Sequence, residues 1–409
     1  MIPRARLDLS WSDFAFAGLS CLLPARRDEL DRSIRAVFPD GDEALLCLAA
    51  RSGFDLLLSA LDLPRGSEVL LSAITIPDIV RIARGHGLVP VPVDVVPETL
   101  APEPAALERA LSPRSRVLVA AHLFGAVSDL GPSRAFARKH DLVFVEDCAQ
   151  SYVPGRFHGH PESDVRMISF GPIKTDTALG GGMLFVRDGA LRARMEELRG
   201  ALPLQTRRAY ARRVLRYAGL QMAALRVPFA LFRAACRVAG RDFDSVLRQA
   251  VRGFGEGDVL PRLRRRPATP LLALLARRVR QVNGRVQART EAGETLARAL
   301  PAGLSRPGAA VAQHSHWVFP VLAEGPLALM RHLAEWGFDA TPGTSSLAAV
   351  PVAPERPDVR APRAEEVMAR ILFVPLYPEV PPRMRLRLAQ ALADWATTSS
   401  GAVATSSRA

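Results

Sequence analysis

Residues 117–147 contain Val117-Leu-Val-Ala-Ala121-His122, then Ser133-Arg-Ala-Phe-Ala-Arg-Lys-His140, then Leu142-Val-Phe-Val-Glu-Asp147. Two short apolar runs flank a stretch of helical character, and each run stops at polar residues. A continuous apolar run of this length suits a strand covered on both faces, and a helix between two such strands is the crossover that parallel pairing needs. The same alternation extends on both sides. Towards the N-terminus, Asp55–Leu63 reads as a helix after Ser52-Gly53, Glu68–Leu71 as a strand, Ile79–His86 as a helix and Leu88–Val93 as a strand. Pro90 and Pro92 cannot donate to a ladder, which suggests an edge strand or strand ends there. Glu103–Leu111 reads as a helix, and Met167–Phe170 and Met183–Val186 as strands. The pattern predicts an α/β fold with a mainly parallel sheet covered by helices. After about Arg285 a second unit follows, with strand-like Trp317–Leu322 and Ile371–Val374 and helical Leu327–Trp336 and Arg383–Trp395. There is no internal repeat. The expected division is 1–204 as a large α/β domain, 205–282 as a basic helical insert, 283–396 as a smaller C-terminal domain and 397–409 as a disordered tail.

The chain has 409 residues, 48% hydrophobic and 23% charged, which is ordinary for a globular protein. Four scattered cysteines, Cys21, Cys47, Cys148 and Cys236, form no CxxC pair. That spacing suits a reducing, cytoplasmic compartment and neither a disulfide framework nor a metal site, so no metal is expected. Asp8 and Asp13 interrupt the N-terminal stretch, which does not look like a signal peptide. The net charge of +13 is uneven. Residues 205–282 hold 18 Arg against 4 acids, so the rest of the chain is close to neutral. This excludes a general polyanion binder, and no nucleic-acid recognition module is present. Of the 54 basic residues only Lys139 and Lys174 are lysines. A lysine kept in so Arg-biased a chain is a candidate for chemistry that Arg cannot do, because it can lose its proton and attack a carbonyl.

In open α/β sheets the site lies beyond the carboxyl ends of the strands. His122, Asp147, Ser169 and Lys174 all fall there. Lys174 precedes a glycine run, Gly180-Gly181-Gly182, and such a lysine suits Schiff-base chemistry with an aldehyde cofactor. A buried carboxylate at Asp147 suits a pyridinium partner. The helix start at Ser52-Gly53 offers backbone donors for a phosphate. Each residue alone also has a purely structural reading: a surface lysine, a loop or cap aspartate, an ordinary helix cap, a hydrogen-bonded core histidine. Lys139, at the end of a helix, reads as a solvated cation.

The order His122-Leu-Phe-Gly125, Glu146-Asp147-Cys-Ala-Gln150, Ser169-Phe-x3-Lys174 and Gly181-Gly182 resembles the DegT-type, pyridoxal-phosphate-dependent aminotransferases, best known for acting on nucleotide-linked keto sugars. Leu61-Asp-Leu-Pro-Arg-Gly-Ser-Glu-Val-Leu-Leu71, Pro92-Val-Asp94 and Val374-Pro-Leu-Tyr-Pro378 agree with it. The resemblance covers about 45–200 well and 285–395 loosely. It implies an aspartate-aminotransferase-like fold, with a mainly parallel seven-stranded-type sheet in a large domain and a smaller C-terminal α+β domain. It implies pyridoxal 5'-phosphate as cofactor, an amino-acid donor such as glutamate, a small keto substrate and a homodimer. Lys174 is then the Schiff-base residue, Asp147 the pyridine partner and Gln150 a contact to the ring oxygen. Ser169 with Ser52 and Gly53 binds phosphate, and His122 lines the cofactor face. Phe54 stands where the family has a phosphate-binding Thr, and Ile76 where an aromatic commonly stacks on the ring. Leu179 replaces a family Glu, and the Asn that reaches the partner's phosphate has no clear counterpart near Arg264–Pro267. These departures put sugar-nucleotide specificity in question. They also keep open a lipid-linked or non-sugar carbonyl substrate, and a degenerate, non-catalytic binding relative.

Within 205–282, Arg226, Arg233, Arg237 and Arg241 are spaced near one helical face, with Leu225, Val227, Phe229, Leu231 and Phe232 among them. Three readings stand: a helical insert packed on the protein, peripheral contact with the inner face of a membrane or a lipid-linked substrate, and diphosphate binding. Pro228 weakens a single continuous helix.

Overall fold

The computed structural model describes residues 1–225, 240, 259–281, 284–342 and 347–406. Seven strands form one sheet: β1 (Ala44–Cys47), β2 (Glu68–Ser72), β3 (Val89–Val93), β4 (Ser115–Ala121), β5 (Val143–Asp147), β6 (Val165–Ser169) and β7 (Gly182–Val186). Their spatial order is β1-β7-β6-β5-β4-β2-β3. β7 pairs antiparallel with both β1 and β6, and the remaining pairings are parallel. The expected α/β class, with its seven-stranded mainly parallel sheet, is the observed one. Of the two readings of its prolines, β3 takes the edge position, with Pro90 and Pro92 opposite Val69 and Leu71. β1 was not anticipated: its four residues, all buried, carry too little periodicity to be separated from their surroundings.

Helices α1 (Trp11–Leu22), α2 (Arg27–Arg35), α3 (Ala50–Leu61), α4 (Pro77–Gly85), α5 (Pro104–Ala110), α6 (Gly131–Lys139) and α7 (Gly189–Ala201) accompany the sheet. Apolar clusters lie on both faces: one joins Val69, Val119 and Val145 to α3 and α4, the other joins Leu70, Leu118 and Phe144 to α5 and α6. α3 presses on β7 at two glycines. A Cβ on Gly53 would sit 2.0 Å from Leu184 Cδ1, and one on Gly182 would sit 2.2 Å from the Ala50 nitrogen. These approaches hold the start of α3 beside the loop that follows β6.

α8 (Arg207–Ala223) and α9 (Thr269–Val279) are the described ends of the segment expected as an insert. Both are built into the core: Tyr210, Val214, Tyr217, Leu271 and Leu275 join Phe14 of α1, Phe170 and Met183 in one apolar cluster. Arg226, Arg233, Arg237 and Arg241, with the amphipathic face inferred from them, lie outside the described residues. Among the described residues no helix is long and apolar enough to cross a membrane.

The C-terminal unit contains α10 (Arg285–Arg298), β8 (Phe319–Leu322), α11 (Pro326–Glu335), α12 (Pro362–Arg370), β9 (Ile371–Val374) and α13 (Pro382–Ser406). β8 and β9 pair antiparallel, and Phe319, Leu333, Leu372 and Leu388 form its core. α13 runs through Ser406, past the point where the sequence suggested a disordered tail. Two-residue ladders tie this unit to the sheet, Ile74–Thr75 to Ala348–Ala349 and Ala126–Val127 to Gln313–His314. The N-terminal strand crosses between the units, with Arg4 in a two-pronged ion pair to Asp339.

Candidate active site

Between the carboxyl edge of the sheet and the C-terminal unit lies a cavity of about 770 Å³. Asp147, Gln150, Ser169, Lys174 and Ile76 of the expected residues line it, together with Arg51, Arg213, Arg289, Trp317 and Tyr377.

Lys174 sits in the loop from β6 to β7. The loop folds on itself because the Phe170 carbonyl accepts from the amides of Ala178 and Gly180, while the Phe170 amide donates to Gly181. Asp176, Leu179 and Gly181 take left-handed backbone (φ +51°, +59°, +94°), so the tight path is strained at two non-glycine residues. Lys174 Nζ lies 3.7 Å from the centroid of the Trp317 ring, whose indole N–H donates to the Ile173 carbonyl at 2.8 Å. Gly125 permits this closeness: its φ is +98°, and a Cβ there would meet the Trp317 nitrogen at 2.6 Å. Burial pulls the Lys174 ammonium down to about 7, against the opposing pull of Asp147 and with help from Arg51. A substantial part of this amine is therefore neutral at physiological pH, which is the form that attacks a carbonyl.

Asp147 ends β5, and its Oδ1 accepts from the Ala149 amide at 2.9 Å. Burial raises its pKa, with the Ala149 N–H and Lys174 opposing. Gln150 Oε1 accepts from the Phe124 amide at 3.0 Å, which leaves its NH2 for a ligand. Ser169 Oγ accepts from the Gly171 amide at 3.3 Å.

Four expected cofactor contacts, His122, Ser52, Gly53 and Phe54, lie outside the cavity lining. His122 is buried behind the cavity, 2% exposed, with Nε2 donating to Glu146 Oε1 at 2.9 Å and Nδ1 accepting from the Ser128 amide at 3.1 Å. Its ring is spent on holding β4 to β5, so the core-histidine reading describes it. Burial pushes Glu146 up, but His122, Ser163 and the His160 amide outweigh that and hold it ionised. Phe54 is wholly buried in the apolar cluster between α3 and the sheet. Gly53 packs on Leu184, and its amide is spent on the Ala49 carbonyl inside α3. α3 begins at Ala50, so the donors at its start are those of Ala50, Arg51 and Ser52. Ala49 gives no side-chain cap, and Ser52 Oγ is buried without a hydrogen-bond partner.

Arg51, Arg213 and Trp317 were not singled out as site residues. Arg51 adjoins the Ser52-Gly53 pair that was. Arg213 is one of 18 arginines in its segment, so composition hid it. Trp317 reaches Lys174 only through tertiary contact.

The fold is shared with solved aminotransferase structures. The structure of the aminotransferase TlmJ from Streptoalloteichus hindustanus superposes with a TM-score of 0.70, covering 97% of this chain and 99% of that one at 19% identity. NtdA from Bacillus subtilis, solved with bound cofactor PMP, gives a TM-score of 0.67 over 94% of this chain and 82% of that one, at 15% identity. Residues 28–222 match the DegT/DnrJ/EryC1/StrS aminotransferase family. An L-glutamine:2-deoxy-scyllo-inosose aminotransferase from Micromonospora echinospora is 35% identical over 184 residues, which is 42% of this chain and 42% of that protein. The match thus spans less than half of that relative's length.

Proposed function

We propose that this chain is a pyridoxal-phosphate-dependent aminotransferase that moves an amino group from an amino acid to the keto group of a sugar or related polyol. The observation that carries the reading is Lys174, its amine depressed to about 7, on the same cavity wall as Asp147. The residues fit the cofactor. The amine suits its aldehyde, Asp147 suits its ring nitrogen, and the uncapped start of α3, with Arg51 beside it, suits an anion. When bound, the cofactor supplies an electron sink that stabilises negative charge on the substrate carbon. Lys174 would hold it through Nζ and could serve as the proton carrier at the substrate carbon, and Asp147 would pair with the ring nitrogen. Gln150 would offer its NH2 to the ring, while Trp317 covers one side of Lys174 and keeps water from it.

Glutamate is the first donor to test and glutamine the second, because the Micromonospora relative is named for L-glutamine. That relative's name also supports a keto-cyclitol or keto-sugar acceptor. A two-copy assembly follows from the family resemblance, and sedimentation velocity at micromolar concentration tests it. For the activity, the purified full chain is given pyridoxal phosphate and then each donor. Long-wavelength absorbance of lysine-bound cofactor should appear, fall with donor and return with a keto acceptor. Absence of that absorbance, or its persistence in Lys174→Ala, overturns the reading in favour of a non-catalytic relative.

A further inference from the structure

The cofactor reading leaves one cation unexplained. Arg213 lies on α8, in the segment that carries the chain's excess charge, yet it lines the site cavity. A Cβ on Gly180 would sit 3.6 Å from its Nη1, so the guanidinium lies against the glycine run after Lys174. Among the described residues no carboxylate pairs with Arg213. Burial lowers its pKa and Arg51 lowers it further, with Tyr217 and Tyr210 opposing. Arg51 also lines the cavity and pairs with Asp78. Arg213 meets Tyr217, and the two guanidinium groups still share one recess, so an anion placed there would meet both. α3 also starts at this recess without a side-chain cap, and Ala49, Ala50 and Arg51 of its first turn line it. Phe54, where the family keeps a phosphate-binding hydroxyl, is turned wholly into the core. A phosphate monoester carries close to two negative charges and three acceptor oxygens, a set that two guanidinium groups match well.

We propose that Arg213, together with Arg51 and the first amides of α3, forms the seat for the cofactor's phosphate in this protein, and that Arg213 replaces the hydroxyl lost at position 54. This rests on the cofactor reading above. A helix from the Arg-rich segment thereby becomes part of the binding machinery.

Pyridoxal phosphate and pyridoxal share the aldehyde and ring but differ in the phosphate, so their comparison isolates the seat. Each is titrated into the apo full chain, and lysine-bound absorbance is followed in wild type, Arg213→Gln and Arg213→Lys. Arg213→Gln should weaken pyridoxal phosphate by about 10- to 100-fold, the loss typical of a charge-assisted contact, and leave pyridoxal unchanged. Arg213→Lys should recover part of the loss. Inorganic phosphate should compete with pyridoxal phosphate in wild type and much less in either variant. Equal weakening of both compounds means a structural role and overturns the proposal. No weakening of either, or an effect confined to a phosphorylated substrate, overturns it as well. If Arg213→Gln fails to fold, the lysine variant and the phosphate competition decide. Absorbance with neither compound in wild type removes the cofactor reading itself, a result distinct from a failure at Arg213.

Discussion

The loop after β6 and the last turn of α6 hold the chain's two lysines, and the two neighbourhoods treat the same side chain differently. Lys139 is exposed at the C-terminal end of α6, where a cation meets the negative end of the helix dipole. Lys174 is half-buried among Trp317, Asp147 and Arg51, and desolvation brings its pKa to about 7. The difference is one of solvent access. Removing water makes the charged form costly and leaves an amine that reacts at neutral pH.

The sharpest way to break this contrast is to remove each lysine. Lys174→Ala should lower amino transfer by about 10²- to 10⁴-fold or more and abolish lysine-bound cofactor absorbance, since nucleophile and proton carrier go together. Steady-state rates with a glutamate or glutamine donor measure it. Asp147→Asn comes next, with an expected fall of about 10²- to 10³-fold in kcat, the usual cost of removing one preorganised electrostatic group. Gly182→Ala tests the frame behind Lys174. The new methyl meets the Ala50 backbone, and denaturant unfolding should show a loss of about 1–3 kcal/mol.

A smaller effect separates the lysines by pH. Lys174 has a native pKa of about 7 against 10.5 for an ordinary lysine. Between those values the unfolded chain holds the extra proton, so this group makes the apo protein more stable as pH rises through that window. Lys174→Met should therefore melt higher than wild type at pH 6, with the gap closing towards pH 10. A gap that does not change with pH would show that Lys174 does not titrate in this range. The smallest expectation is Lys139→Ala, which should leave activity unchanged and stability within about 0.5 kcal/mol. An activity loss there would erase the contrast between the two lysines.

How far the site was legible depended on whether a residue's role is local. Asp147, Ser169 and Lys174 each follow a strand, and a strand's carboxyl end is readable from its apolar run. Gln150 came with the motif around Asp147. His122 obeyed the same positional rule and still turned away from the cavity, because Glu146 and the Ser128 amide claim both ring nitrogens. Phe54 and Gly53 went to helix–sheet packing, since α3 begins at Ala50 and presents another of its faces to the site. Helix rotation is set by contacts such as Gly53 against Leu184, which no local pattern encodes.

Sequence alone determined the alternation of strands and helices, the restricted place of the proline-bearing β3 and the identity of Lys174 as the lysine worth watching. Apolar periodicity, the missing proline donor and the scarcity of lysine are all properties of short stretches. Only the tertiary structure decided that α8 belongs to the core, that Arg213 reaches the site and that Trp317 covers Lys174. Those facts join residues far apart along the chain, such as Tyr210 and Phe14 or Lys174 and Trp317. Their partners are chosen when apolar faces bury together, and that choice is made by the whole fold.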